Sequence, residues 1–177
     1  GYWQSEKYFT GVEAIVCQEL TVRHEPDPVN QAVADCISEV EAVSLHVRRG
    51  DYVSNPVTYQ YHGVCLPDYY HAAVKEVTKV VKHPHFFVFS DDIGWVQEKL
   101  EVNYPKTYVA HNGPEKDYED LRLMSQCKHH IIANSTFSWW GAWLCTNPCK
   151  FVVAPEQWFA NADRHARDLI PDDWHRI

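Results

Sequence analysis

The chain has 177 residues, enough for one domain of ordinary size. Its 45% hydrophobic and 23% charged residues exclude wholesale disorder. Sixteen Lys and Arg against 24 Asp and Glu leave a net charge of −8, which excludes a surface built to grip a nucleic-acid backbone. The few basic pairs therefore read as local grips for one anion. No apolar run approaches the roughly 18–20 residues of a membrane helix. No signal peptide is evident, and the chain opens at Gly1, so it reads as a processed chain or a piece of a longer one. The six cysteines (Cys17, Cys36, Cys65, Cys127, Cys145 and Cys149) form no CxxC pair. They read as small hydrophobes in a reducing compartment, not as a disulfide framework.

In chain order, residues 1–41 stand apart from the rest. Gly11–Leu20 and Gln31–Glu39 are modest helix candidates, separated by a loop carrying Pro26 and Pro28. From residue 42 a rhythm begins. Val43–Val47 is a short β-branched apolar run, a buried strand by length. Asp68–Lys82 has helical spacing and a Pro at residue 67, where helices start. His85–Phe89 is a second strand and Asp92–Leu100 a helix. Thr107–Ala110 is a third strand and Asp117–Cys127 a helix. His130–Ala133 is a fourth strand, Phe137–Thr146 an apolar helix, and Lys150–Ala154 a fifth strand. Five alternations with short links predict a doubly wound parallel α/β sheet covered on both faces.

Each predicted strand ends in polar residues. The exits are Arg48-Arg49-Gly50-Asp51, then Ser90-Asp91-Asp92, His111-Asn112-Gly113, Asn134-Ser135-Thr136-Phe137-Ser138, and Pro155-Glu156-Gln157-Trp158. In a parallel sheet these lie on one edge, outside the carboxyl ends of the strands, where ligands bind. The arginine pair offers planar, permanently charged donors for phosphate or carboxylate. The Ser135–Ser138 turn opens a helix and offers N–H groups, hydroxyls and a dipole end. Together they predict a diphosphate site. Neither GxGxxG nor GxxxxGK[ST] is present, so arginine and hydroxyls replace a glycine-rich cradle. This points away from NAD enzymes and P-loop ATPases and towards a nucleotide-sugar enzyme with diphosphate as the leaving group.

Four segments in order carry a resemblance: Gln4-Ser5-Glu6-Lys7-Tyr8-Phe9, His46-Val47-Arg48-Arg49-Gly50-Asp51-Tyr52, Phe89-Ser90-Asp91-Asp92 with Trp95, and Asp120–Cys127 followed by Ile132–Ala142. They resemble glycosyltransferase family 11, the α-1,2-fucosyltransferases. The resemblance implies a GT-B enzyme with two Rossmann-like halves. Such an enzyme moves L-fucose from GDP-β-L-fucose to the 2-hydroxyl of a galactose-terminated glycan, with inversion and with neither metal nor cofactor. Members run to about 300 residues, the length two α/β halves need, and their glycine-rich N-terminal segment has no counterpart here. On this reading residues 1–41 end the acceptor-side domain and 42–177 are the GDP-fucose-binding domain, incomplete for turnover alone. By similarity, Arg48 grips the β-phosphate and Arg49 is a second basic group or a loop anchor. Asp51 is a local candidate for the general base. His46 and Asp120 recognise guanine, and Asp91 or Asp92 the ribose. Asn134, Ser135, Thr136, Phe137 and Ser138 form the phosphate turn. A bacterial enzyme of this kind would be cytoplasmic or membrane-peripheral, while an animal one would face the Golgi lumen.

Other readings of the same residues are weaker. Arg49-Gly50-Asp51 spells an adhesion tripeptide but sits inside the longer motif. Asn134-Ser135-Thr136 is a glycosylation sequon at a strand end beside Trp139 and Trp140, where no glycan is expected. His83/His85 and His129/His130 lack i,i+4 spacing and Cys partners, so no metal is expected. Trp139, Trp140 and Trp143 read as core. A non-catalytic nucleotide- or carbohydrate-binding module of the same fold is the second function class. The arginine pair counts against it, because a module that binds sugar alone has no need of a diphosphate grip.

Overall fold

The computed structural model describes residues 5–161 and 168–177. Gln4 of the first motif lies outside them. In chain order the elements are α1 (Glu13–Glu19), α2 (Pro28–Glu39), β1 (Glu41–Val47), α3 (Gly50–Ser54), α4 (Pro56–His62), α5 (Pro67–Val80), β2 (Pro84–Ser90), α6 (Ile93–Lys99), β3 (Lys106–Val109), α7 (Asp117–Gln126), β4 (His129–Ile131), α8 (Thr136–Trp143), β5 (Val152–Ala154) and β6 (His175–Arg176). The six strands form one all-parallel sheet in the order β3-β2-β1-β4-β5-β6, flanked by helices. This is a Rossmann-like doubly wound α/β arrangement.

The period of two along β1 and β2 builds both cores. Val43, Leu45, Phe86 and Val88 face α5, where Tyr70, Ala73 and Val77 are buried. Ala42, Phe87 and Phe89 face the other way, onto Ile37 of α2 and Leu123 and Met124 of α7. Covering on both faces is why these strands read as continuous apolar runs. Helix α2 starts at Asp27, whose carboxylate accepts from the N–H groups of Val29 (3.1 Å) and Asn30 (3.0 Å), with Pro28 at the first helical position. A third cluster packs Trp139 against Trp158, Ile170 and Trp174. The tryptophan run is thus core, with Trp139 fully buried.

Two features depart from the sequence expectation. The sheet has six strands, not five. His175 and Arg176 pair with Val153 and Ala154, although this strand has no apolar run. It is held by the ladder itself, by His175 stacked on Phe151 at 5.7 Å and by Arg176 donating to Ile170 O at 2.7 Å, so no pattern announces it. The chain after β1 also does not run straight to α5, because α3 and α4 intervene. Asn55 caps α4 by accepting from Val57 (2.9 Å) and Thr58 (3.3 Å), with Pro56 next.

Candidate active site

The chain leaves β1 for β2 on one side of the sheet and reaches β4 on the other. The crevice therefore opens where the exits of β1 and β4 diverge. The two arginines that follow β1 part there. Arg49 turns inward. Its Nε donates to Asp92 at 3.1 Å, and its guanidinium lies 3.8 Å from the centre of the Trp95 ring. Asp92 in turn caps α6 by accepting from Trp95 N–H at 3.2 Å. Arg48 stays on the cleft. Its Nη1 pairs with Asp91 at 3.1 Å, its Nη2 with Asp51 at 2.6 Å, and it sits 5.5 Å from the Tyr52 ring. Asp91 also accepts the Arg49 N–H at 2.8 Å, so one carboxylate fixes both the turn and the arginine fork. Gly50 is required by this packing, because a Cβ there would lie 2.5 Å from Asp91 Oδ2.

Across the crevice stands the N-terminus of α8. Its first helical bond runs from Trp139 N–H to Ser135 O at 3.0 Å, which leaves the N–H groups of Thr136, Phe137 and Ser138 ahead of it. The Ser135 hydroxyl makes no cap bond to them. Ser138 is buried, and its hydroxyl donates to Ala133 O (3.2 Å) and Ser135 O (3.1 Å), away from the cleft. Asn134 is a brace. Its amide donates to His62 O (2.9 Å) at the end of α4 and to Trp158 O (3.2 Å) beyond β5. Only 2% exposed, it leaves no room for a glycan. This brace closes one wall of a cleft of about 1020 Å³, where Tyr52 stacks on His62 at 4.6 Å and Tyr61 meets Phe159 edge-on at 5.6 Å.

His46, one residue before the end of β1, has its ring 5.6 Å from Phe137. Its Nδ1 is buried and has no hydrogen-bond partner among the described residues. Burial, with the charge of Arg48 second, pushes it down to about 3, so it is neutral. Asp120, in the first turn of α7, accepts from Asn112 Nδ2 at 2.8 Å. Burial pushes its carboxyl up to about 6.

Of the residues singled out from sequence, the fold brings Arg48, Asp51, Ser135, Thr136 and Phe137 together on the cleft. Arg49, Asp91, Asp92, Asn134 and Ser138 stand behind it and hold it in shape. His46 and Asp120 are off its lining, His46 against Phe137 and Asp120 against Asn112. Sequence reasoning missed the aromatic wall of Tyr52, Tyr61, His62 and Phe159. The Asn55-Pro56 capping pair was the available signal for α4, which carries half of that wall. Among the described residues no cluster of three or more His, Cys, Asp or Glu could hold a metal, and no helix is long and apolar enough to cross a membrane.

Comparisons with known proteins show the family. The family model described as glycosyl transferase family 11 matches residues 1–177. The chain belongs to glycosyltransferase family 11. Among its relatives is an alpha-1,2-colitosyltransferase of Escherichia coli, 37% identical over 181 residues that cover 100% of this chain and 61% of that protein. The O-antigen biosynthesis glycosyltransferase WbnK of Escherichia coli is 46% identical over 133 residues, 74% of this chain and 43% of that one. The galactoside 2-alpha-L-fucosyltransferase SEC1 of Bos taurus is 32% identical over 160 residues, 86% and 43% respectively. The chain thus spans about half the length of these family members.

Proposed function

We propose that this chain is the donor-binding part of an inverting glycosyltransferase that takes L-fucose from GDP-β-L-fucose and places it on the 2-hydroxyl of a terminal galactoside. In this reading residues 42–177 hold the donor, and residues 1–41 lead in from an acceptor-side domain, with α2 among them packed on the donor sheet. The observation that carries it is Arg48 facing the open N-terminus of α8 across one cleft at the switch point of the sheet. Two positive elements on one cleft suit a diphosphate. They provide the charge that departing GDP needs without a further cofactor. The activities of the relatives, α-1,2 transfer of colitose and of fucose, support a 6-deoxy sugar and this linkage. The six free thiols support a cytoplasmic setting.

The chemistry follows from the geometry. The bond between the anomeric carbon and the β-phosphate oxygen breaks, and its electron pair moves onto the diphosphate. Arg48, fixed by Asp91, meets that charge. The Asp51 contact on Nη2 is the more exposed of its two and is the one a phosphate displaces. The galactose hydroxyl attacks from the opposite face and loses its proton. Asp51 is a carboxylate on the cleft that the phosphate frees from Arg48, and it is our candidate acceptor for that proton. Calorimetric titration tests the reading. GDP should bind and free fucose should not, and Arg48→Ala should weaken GDP. Binding of fucose but not GDP would instead establish a carbohydrate-binding module.

A further inference from the structure

The polar exit after β3 forms a closed network that the donor site above does not use. Asn30, fully buried in α2, and Asn112 pair amide to amide: Asn30 Nδ2 donates to Asn112 Oδ1 and Asn112 Nδ2 to Asn30 Oδ1, both at 2.9 Å. His111 Nε2 lies 2.9 Å from Asn30 Oδ1, and Asn30 Nδ2 also donates to Asp27 at 3.2 Å. The Asp27 carboxylate only accepts, so Asn30 must present Nδ2 to it, and the amide pairing then fixes Asn112. The second N–H of Asn112 is left one direction, towards Asp120 Oδ1 at 2.8 Å.

We propose that Asn112, locked by Asn30, is a positioning residue that holds the Asp120 carboxylate for reading the nucleobase, and so sets the preference of the site for guanine. This rests on the donor being a guanine nucleotide and on Asp120, off the lining of the cleft, being the group that reads its base. Asn112 uses one lone pair of Oδ1 and leaves the rest of the carboxylate to accept from guanine N1–H and the 2-amino group. Adenine presents an acceptor where guanine presents N1–H, so a fixed carboxylate disfavours it. The contact also keeps the carboxylate ionised. Burial raises Asp120, and Asp117 and Glu119 on α7 act in the same direction, while Asn112 and His111 oppose them. Asp27 and Lys116 pair with each other at the far side of the network.

The test is titration of the chain with GDP and with ADP between pH 5.5 and 8, for wild type, Asn112→Ala and Asn112→Asp. The aspartate variant keeps the shape, loses the donor and sets a second negative charge beside Asp120, so its Asp120 should rise more than in the alanine variant. Both should lose about tenfold in GDP affinity, the worth of roughly one charge-assisted hydrogen bond, with ADP changed less than about twofold. The pH midpoint for GDP should move up in both, because the contact that opposes protonation is gone. A role confined to structure would weaken GDP and ADP in parallel, and that result overturns the proposal. A wild-type preference for GDP that survives in both variants overturns the positioning role alone. A wild-type chain with no preference removes base reading by Asp120, and the role of Asn112 with it.

Discussion

Replacing Gly50 by alanine tests whether one carboxylate organises the arginine turn. The new Cβ would lie 2.5 Å from Asp91 Oδ2 and 3.1 Å from its Cγ. Asp91 is not a side chain that can swing aside at no cost. Its Oδ1 accepts the Arg49 N–H at 2.8 Å, and its Oδ2 holds Arg48 Nη1 at 3.1 Å. Relieving the overlap therefore breaks at least one of these contacts. A hydrogen bond to a charged group contributes about 1.5–3 kcal/mol. Alanine in place of a helical glycine returns about 0.5–1 kcal/mol, and Gly50 is the first residue of α3. The net expectation is a loss of about 1–2 kcal/mol, read as a shift of the urea midpoint. In an Asp91→Ala background the obstacle is absent, so Gly50→Ala should there be neutral or mildly stabilising. The double-mutant cycle should give a coupling of similar size. An unchanged midpoint for Gly50→Ala, or an equal cost with and without Asp91, would show that the close contact does not constrain the turn.

In the complete transferase, Arg48→Ala should lower kcat about 10²–10³-fold, far more than it weakens the donor, with Arg48→Lys recovering part of the loss; a kcat within about threefold of wild type would falsify the leaving-group role. Asn134→Ala removes two donors to the cleft wall and should destabilise the chain by about 1–3 kcal/mol while loosening the wall, visible as faster hydrogen exchange in residues 158–161. Lys150 donates to Ala142 O (3.0 Å), Trp143 O (3.2 Å) and Cys145 O (3.0 Å) at the end of α8, so Lys150→Met, which keeps the stem, should lower the urea midpoint by an amount equivalent to about 1–3 kcal/mol. Acid should destabilise the fold: burial pushes His46 and His130 from 6.5 to about 3, so their contribution is complete above 6.5 and fades as pH falls towards 3. Each gives up about 2 kcal/mol by pH 5. Asp120, raised from 3.8 to about 6, works the opposite way between those values and offsets only part; urea midpoints that do not fall between pH 7 and pH 5 would count against buried neutral histidines.

The sheet was legible because covering on both faces leaves a direct trace, apolar runs such as Phe86–Phe89 bounded by polar exits. The position of the cleft was legible for the same reason, since parallel strands put every exit on one edge. Individual roles on that edge were less legible, and Arg48 and Arg49 show why. Neighbouring residues leaving a strand point to opposite sides, so the motif implies that the two arginines differ. Which one lines the cleft depends on what stands on each side. That is settled by Trp95 and Asp92, some 45 residues further on, which take Arg49 into the fold. Asn134 is a similar case. Its place in a hydroxyl-rich turn reads as a ligand contact, yet the backbone carbonyls of His62 and Trp158 claim its amide. Such carbonyls leave no mark in the residue types of the segments that supply them. The buried pair of Asn30 and Asn112 escaped for a related reason, because the two are 82 positions apart. A polar side chain reaches a fold's interior only with its partner. When that partner comes from another layer, sequence marks the residue as polar and leaves its purpose to the packing.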